Sequence, residues 1–435
     1  MSGPGALPRL LAGASAHRPI SYDEHLALHG ELPIERRRRR VEPALIEQLE
    51  MAGLRGRGGG GFPTAKKLRT VARARRRPFV VVNVTEGEPA SRKDCVLSES
   101  APHLILDGAE LIASALGAEQ TLVCVCESAP ESAIALGAAI DERRRLDGTC
   151  ANIELRTIPA GYISGQESAL VSYLNGGLAR PTFTPPMVFE QGVGRRPTFL
   201  SNAETFAHIA LIARHGARWF REVGTADQPG SALVTLSGPV ARPGVYEIAH
   251  GASLASLVVA AGGTRAGVRA VLLGGYAGAW LDGSLIDNAL LADQDLIGRG
   301  ASLGAGVVLL LSEQSCPVAE TARITRWLAD QSAHQCGPCL HGLDALAELI
   351  RQIAEGAGEG QSAARIERIC SLVRRRGACA HPDGAARFAL SALDVFAEEL
   401  ADHARYGLCS ACDRHPELPL DTWRATPSQE RARVT

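Results

Sequence analysis

Four consecutive glycines, Gly58 to Gly61, sit inside the stretch Leu54-Arg55-Gly56-Arg57-Gly58-Gly59-Gly60-Gly61-Phe62-Pro63-Thr64-Ala65-Lys66-Lys67. An acidic loop, Asn83-Val84-Thr85-Glu86-Gly87-Glu88-Pro89, follows, and then Lys93-Asp94. Of the 46 basic residues only three are lysines, and all three lie in this stretch. Backbone free of side chains lets peptide amides close around phosphate oxygens, and lysine adds a compact point charge. The combination points to a phosphorylated cofactor. A glycine run by itself reads as readily as a flexible linker. A linker, however, needs neither the lysines nor the acidic loop.

The 11 cysteines are the second chemical resource. Nothing at the N-terminus has a charged-then-apolar export pattern, so a cytoplasmic, reducing location is expected and a disulfide framework is not. Buried thiols plus a metal site fit better. One metal reading pairs Cys336 and Cys339 with Cys409 and Cys412 as a four-thiolate zinc site, although the intervening stretch is long for a zinc ribbon. Cys124, Cys126 and Cys370 fall on apolar strand or helix patterns and read as core, and Cys95 reads as a structural thiol. His103, His208 and His381 are isolated and read as satisfied surface or core histidines. No nucleophile is accompanied by a base, so hydrolytic chemistry has no support.

The elements that must position these groups follow from periodicity. Residues 1–40 read as a loosely structured arm, with Arg36–Arg40 a solvated face or docking patch. Residues 41–225 alternate strands and helices: Phe79–Val84 and Thr121–Cys126 are buried strands, and Leu104–Gly117 and Glu131–Leu146 are helices. That alternation implies an α/β unit with a largely parallel, doubly wound sheet. Residues 231–312 read as a small β-rich unit with one helix, Leu254–Ala261. Residues 316–405 read as helical, with Leu343, Leu346, Ile350 and Ile353 on one face and Ile366, Ile369 and Val373 on another. The tail, 406–435, turns polar after Pro416 and is expected to be disordered. A length of 435 residues, 46% hydrophobic content and a net charge of -1 describe an ordinary soluble protein, not a nucleic-acid binder. No apolar run is long enough to span a bilayer.

These residues together resemble a known family, the flavoprotein subunit of respiratory complex I, shared with NAD-linked hydrogenases and formate dehydrogenases. Its R-G-R-G-G-x-G-F-P-T-x-x-K matches residues 55–67, and its N-A-D-E-G-E-P-G-x-x-K-D corresponds to Asn83–Asp94. Its Y-I-x-G-E-E-T-A-L corresponds to Tyr162–Leu170, and its N-N-x-E-T to Ser201–Thr205. Ser237-Gly238-Pro239-Val240 to Pro243-Gly244-Val245-Tyr246 is similar to the start of its β-grasp (SLBB-type) domain. The resemblance implies a Rossmann-like FMN-binding domain, that β-grasp domain, and a C-terminal helical bundle holding a [4Fe-4S] cluster.

Carried over residue by residue, Gly56, Arg57, Gly58, Gly59 and Lys67 would meet the FMN phosphate and ribityl chain. Asn83, Glu86, Gly165, Ser201 and Asn202 would line the flavin. Phe62, Glu88, Gln166 and Glu167 would belong to the nicotinamide side, where NADH or NADPH is substrate. Cys336, Cys339 and Cys379 would ligate the cluster. Four departures stand out: Thr85 replaces an acidic residue, Gln166 the first of paired glutamates, and Thr70 and Met187 the rings around the adenine. Thr184 further replaces a lysine, and Ala333 stands where the first cluster cysteine belongs, leaving Ser332, His334 or a small molecule as fourth ligand.

Three functions are therefore open. The first is an FMN-dependent oxidoreductase passing electrons from NAD(P)H through FMN to the cluster and a protein partner. The second is a flavoprotein carrier that has lost the nucleotide and is reduced by ferredoxin or another protein. The third is a non-catalytic scaffold paralogue. Any membrane contact would be peripheral, on the inner face, through a partner.

Overall fold

The structure, a computed structural model, describes residues 7–14, 18–33, 43–358, 361–412 and 416–420. The Arg36–Arg40 run lies outside the described residues. Helices α1 (Tyr22–His29), α2 (Pro43–Ala52) and α3 (Thr64–Ala72) lead into β1 (Phe79–Val84). Then come α4 (Lys93–Ser100), α5 (Pro102–Leu116), β2 (Gln120–Cys126), α6 (Pro130–Leu146), β3 (Ile153–Ile158), α7 (Glu167–Leu174), β4 (Thr198–Asn202) and α8 (Ala203–Phe220). The four strands are all parallel, in the order β3-β2-β1-β4. β1 is a run of β-branched residues buried on both faces, as a parallel strand between two helical layers must be. Val80, Val82 and Val84 face one apolar cluster and Val81 the other.

The second unit holds β5 (Ser231–Ser237), β6 (Gly244–Ala249), α9 (Leu254–Ala260), β7 (Val268–Leu273), β8 (Ala279–Asp282), the short α10 (Asp293–Gly298) and β9 (Val307–Ser312). Its sheet runs β6-β5-β9-β7-β8, with β5 and β9 parallel and the other pairs antiparallel. One face packs on α9; the other, through Tyr276 and Trp280, packs on the helical unit. That unit comprises α11 (Pro317–Asp330), α12 (Leu343–Ala354), α13 (Ser362–Val373), α14 (His381–Val395) and α15 (Ala397–Tyr406). Leu346, Ile350 and Ile353 of α12 and Ile366 and Val373 of α13 are buried in its core. No helix among the described residues is long and apolar enough to cross a membrane.

Two expectations fail at the chain's extremities. Part of the supposed arm is fixed: Leu10 is fully buried, and one Glu247 oxygen accepts from the N–H groups of Arg9, Leu10 and Leu11. α1 is closed by a reciprocal Ser21–Glu24 capping box. In the tail, residues 416–420 are anchored too. Leu418 is buried among the helices, Glu417 accepts from Ser312 N–H and Ser315 Oγ, and Tyr276 Oη donates to the Pro419 carbonyl. Polar composition hid one apolar plug and five hydrogen bonds, Glu417 N–H to Glu320 and Arg323 to the Leu418 carbonyl completing the set.

Candidate functional site

In an open parallel sheet a ligand crevice forms beyond the carboxyl ends of the strands, where strand order reverses. Here the reversal lies between β1 and β4, since β2 and β3 extend on the far side of β1. Asn83 and Asn202 are register partners at those two ends. Around them gather the loops that the sequence singled out. Asn83 Nδ2 donates to the Gly165 carbonyl at 2.8 Å, joining the acidic loop to the segment before α7. The approach is close: a Cβ on Gly165 would lie 2.5 Å from Thr85 Oγ1 and 2.8 Å from its carbonyl oxygen. Asn202 accepts from Thr205 Oγ1, which in turn accepts from Arg57 N–H at 2.9 Å, so the glycine loop is moored over β4. A Cβ on Gly58 would meet the Asn202 side chain at 3.6 Å.

The glycine loop fits an anion. The N–H groups of Gly58, Gly59, Gly60 and Gly61 donate to no acceptor among the described residues, and Gly60 and Gly61 face open space. Behind the loop a cavity of about 230 Å³ is lined by Arg55, Arg57, Lys93 and His250. Arg57 is buried there with Nε and one terminal nitrogen unpartnered. Glu204, 4.0 Å from Arg57 Nε, shares the guanidinium charge, but four free amides and the unsatisfied guanidinium N–H groups still suit a phosphate.

The lysines divide by role. Lys67 Nζ donates to Glu167 Oε1 at 2.5 Å and to the Leu200 carbonyl at 2.9 Å, joining α3, α7 and β4 at the crevice. Lys66 is exposed, near the face of Phe62. Lys93 is structural, not a phosphate donor: its ammonium lies 2.9 Å from Glu204 and 3.0 Å from Asp94, all three buried. Burial pushes the Glu204 carboxyl up, but Lys93 beside it outweighs this and holds it down at about 2. Removing either partner of so buried a pair costs about 3–5 kcal/mol.

The acidic residues are more occupied than the resemblance implies. Glu86 caps α4, accepting from Ser91 Oγ and from the N–H groups of Asp94 and Cys95. Glu88 turns to the second unit and accepts from Tyr276 N–H at 3.0 Å. Gln166 caps α7 by accepting from Ser168 and Ala169 N–H. Phe62 packs 5.6 Å from Phe189, a ring that the motifs did not flag. Phe183, 71% exposed, adjoins Thr182, whose N–H donates to Ser168 of α7. Neither ring belongs to a sequence motif, so only the folded chain could reveal them.

Cys336, Cys339 and Cys379 come together after α11. Burial, then the charges of Cys336 and Cys379, push the Cys339 thiol up to about 12, opposed by nearby Ser332. The Ser332 hydroxyl is buried without a hydrogen bond of good geometry. Three clustered thiols with a buried hydroxyl beside them suit an iron–sulfur cluster. The group also touches the crevice: Gln331 accepts from Tyr162 N–H at 3.1 Å, and Gln335 Nε2 donates to the Pro181 carbonyl at 3.0 Å. The four-thiolate zinc reading is wrong. Cys409 and Cys412 lie with Cys316 and His403 instead, because α11 separates its two ends. Cys124, Cys126 and Cys370 are core. His103, His208 and His381 are buried, facing Arg143, Glu204 and the Leu328 carbonyl respectively.

Residues 49–211 match the family described as the Nuo51 FMN-binding domain, and residues 319–403 the NADH-ubiquinone oxidoreductase-F iron-sulfur binding region. Residues 233–275 match the SLBB domain. An NADH-quinone oxidoreductase subunit of Rhizobium meliloti is 32% identical, covering 84% of this chain and 90% of its own length. The NADP-reducing hydrogenase subunit HndC of Solidesulfovibrio fructosivorans is 28% identical over 94% of this chain and 86% of its own. A crystal structure of NAD+-reducing [NiFe]-hydrogenase in the H2-reduced state aligns with a TM-score of 0.76 at 30% identity, covering 87% of this chain. This chain spans 65% of that hydrogenase chain. The α/β crevice, the SLBB sheet and the cysteine-bearing helices thus occur together in one family, and this chain belongs to it: the FMN- and iron–sulfur-binding subunits of NADH-quinone oxidoreductases.

Proposed function

We propose that the chain is the flavoprotein of an electron-transfer assembly, taking electrons from NADH or NADPH and delivering them through an iron–sulfur cluster to a partner subunit. The observation that carries this reading is the pair of hydrogen bonds, Gln331 to Tyr162 and Gln335 to Pro181, that set the cysteine group against the walls of the crevice. FMN, when bound, supplies the conversion between a two-electron nicotinamide and one-electron carriers. The residues do the rest. The amides of Gly58 to Gly61 hold the phosphate, with Arg57 balancing its charge. Lys67 has one N–H left after Glu167 and Leu200, available to a ligand in the crevice. Asn83 fixes the spacing between the two loops that flank the ring system. Phe62, Phe183 and Phe189 offer apolar faces that exclude water from the nucleotide side. Cys336, Cys339 and Cys379 hold the cluster, and the buried Ser332 hydroxyl beside Cys339 supplies its fourth ligand.

A second reading, a carrier reduced by ferredoxin, is favoured by the nucleotide side alone. Thr70 donates to its own helix, and Glu88 is turned onto Tyr276. Anaerobic titration separates the two: bleaching of the flavin band by NADH or NADPH supports the first. A band that bleaches only with reduced ferredoxin supports the second, and a colourless protein that takes up no FMN refutes both.

A further inference from the structure

The iron–sulfur match ends at residue 403, and Cys336, Cys339 and Cys379 within it lie beyond the C-terminal end of α11. A different group sits at the other end of that helix. Cys316, the N-cap of α11, His403 near the end of α15, and Cys409 and Cys412 in the segment after it bring four ligand atoms within 4.8 Å of one another. Cys316 Sγ and His403 Nε2 are 3.4 Å apart, His403 Nε2 and Cys412 Sγ 3.8 Å, and the two sulfurs of Cys409 and Cys412 3.4 Å.

Those separations fit one small ion. Zinc bonds thiolate at about 2.3 Å and imidazole at about 2.0–2.1 Å, so tetrahedral geometry sets S···S near 3.8 Å and S···N near 3.6 Å. Ligands of an iron–sulfur cluster bind separate irons, with an inorganic core between them, and stand further apart. A 14-residue helix is about 21 Å long, so this group is well removed from Cys336, Cys339 and Cys379. All four ligands come from protein and no position is left open, which is the pattern of a structural site.

We propose that Cys316, His403, Cys409 and Cys412 form a structural zinc site, independent of the flavin and the iron–sulfur cluster. The ion joins the first helix of the helical unit to the last. It also fixes the start of the segment that carries Leu418 into the core. On binding, the three thiols lose their protons to solvent and the imidazole ligates neutral through Nε2.

The test is elemental analysis of the full chain purified without oxygen. About one zinc per chain is expected in addition to iron. Cys409→Ser with Cys412→Ser should abolish the zinc while flavin and iron remain; Cys336→Ser should lower iron and leave zinc in place. If the double variant does not fold, His403→Cys, which keeps four ligands, should retain the ion. Cobalt(II) replacing zinc should give thiolate charge-transfer and tetrahedral d–d bands. Absence of zinc from wild-type protein, iron that disappears with Cys409 and Cys412, or a Cys409–Cys412 disulfide would each overturn the proposal.

Discussion

The ammonium of Lys67 lies 2.5 Å from Glu167 Oε1, so a helix that follows the glycine loop is tied to the helix opening the opposite wall of the crevice. Because Lys67 also reaches the Leu200 carbonyl, its charge is oriented and not merely nearby. Lys67→Met should weaken FMN binding roughly ten- to hundredfold, the loss expected for a hydrogen bond to a charged group. Fluorescence titration of the flavin-free protein checks this. Unchanged affinity would remove Lys67 from the site.

Two glycines of the crevice should respond differently to the same methyl group. On Gly165 a Cβ strikes Thr85, including backbone, at 2.5–2.8 Å, so Gly165→Ala should lower Tm and flavin content together. On Gly60 a Cβ meets nothing within 4 Å. Gly60→Ala should leave unfolding free energy within about 0.5 kcal/mol of wild type, yet reduce FMN affinity where the phosphate must approach the backbone. Equal FMN affinity in the Gly60 variant would move the phosphate elsewhere.

Glu88 and Tyr276 form a pH-dependent seam between the α/β unit and the second sheet. Burial pushes the Glu88 carboxyl from 4.5 up to about 7, against the stabilising N–H groups of Tyr276 and Ala90. Between those values the folded protein holds a proton that the unfolded chain has released. Stability from this group is therefore full below about pH 4.5 and is lost as pH rises through about 7. Glu88→Gln keeps an acceptor and cannot ionise. Its Tm should match wild type near pH 5 and exceed it by a few degrees near pH 8. Parallel Tm–pH curves would contradict this.

On the proposed reading, Ser332 is the fourth ligand of the cluster. Ser332→Ala should reduce iron from about four to about three per chain and change the low-temperature EPR signal, whereas Ser332→Cys should retain all the iron. Full iron in the alanine variant would assign the fourth ligand to another group.

How much of this is legible in the sequence depends on whether the cause is local. The valine run of β1 and the apolar run of β2 announce buried strands by themselves. β3, Ile-Glu-Leu-Arg-Thr-Ile, escapes such a reading, because it alternates and is partly exposed at the sheet edge. Lysine scarcity singles out a stretch that reaches the crevice but cannot separate Lys67, at the crevice, from Lys93, whose partner Glu204 lies 111 residues away. For the same reason spacing matches Cys409 and Cys412 with the wrong cysteines: Cys316 and His403, 87 residues apart in the chain, reach them only through helix packing. The motif residues do converge around Asn83 and Asn202. Several of them, Glu86, Glu88 and Gln166, carry hydrogen bonds that hold loops in place, which no motif reveals.

The crevice between β1 and β4 exists because of strand order, not because of any single side chain on its rim. Its floor is therefore insulated from changes above it. Thr70, exposed on α3 and bonded only to its own helix, could change without disturbing that floor.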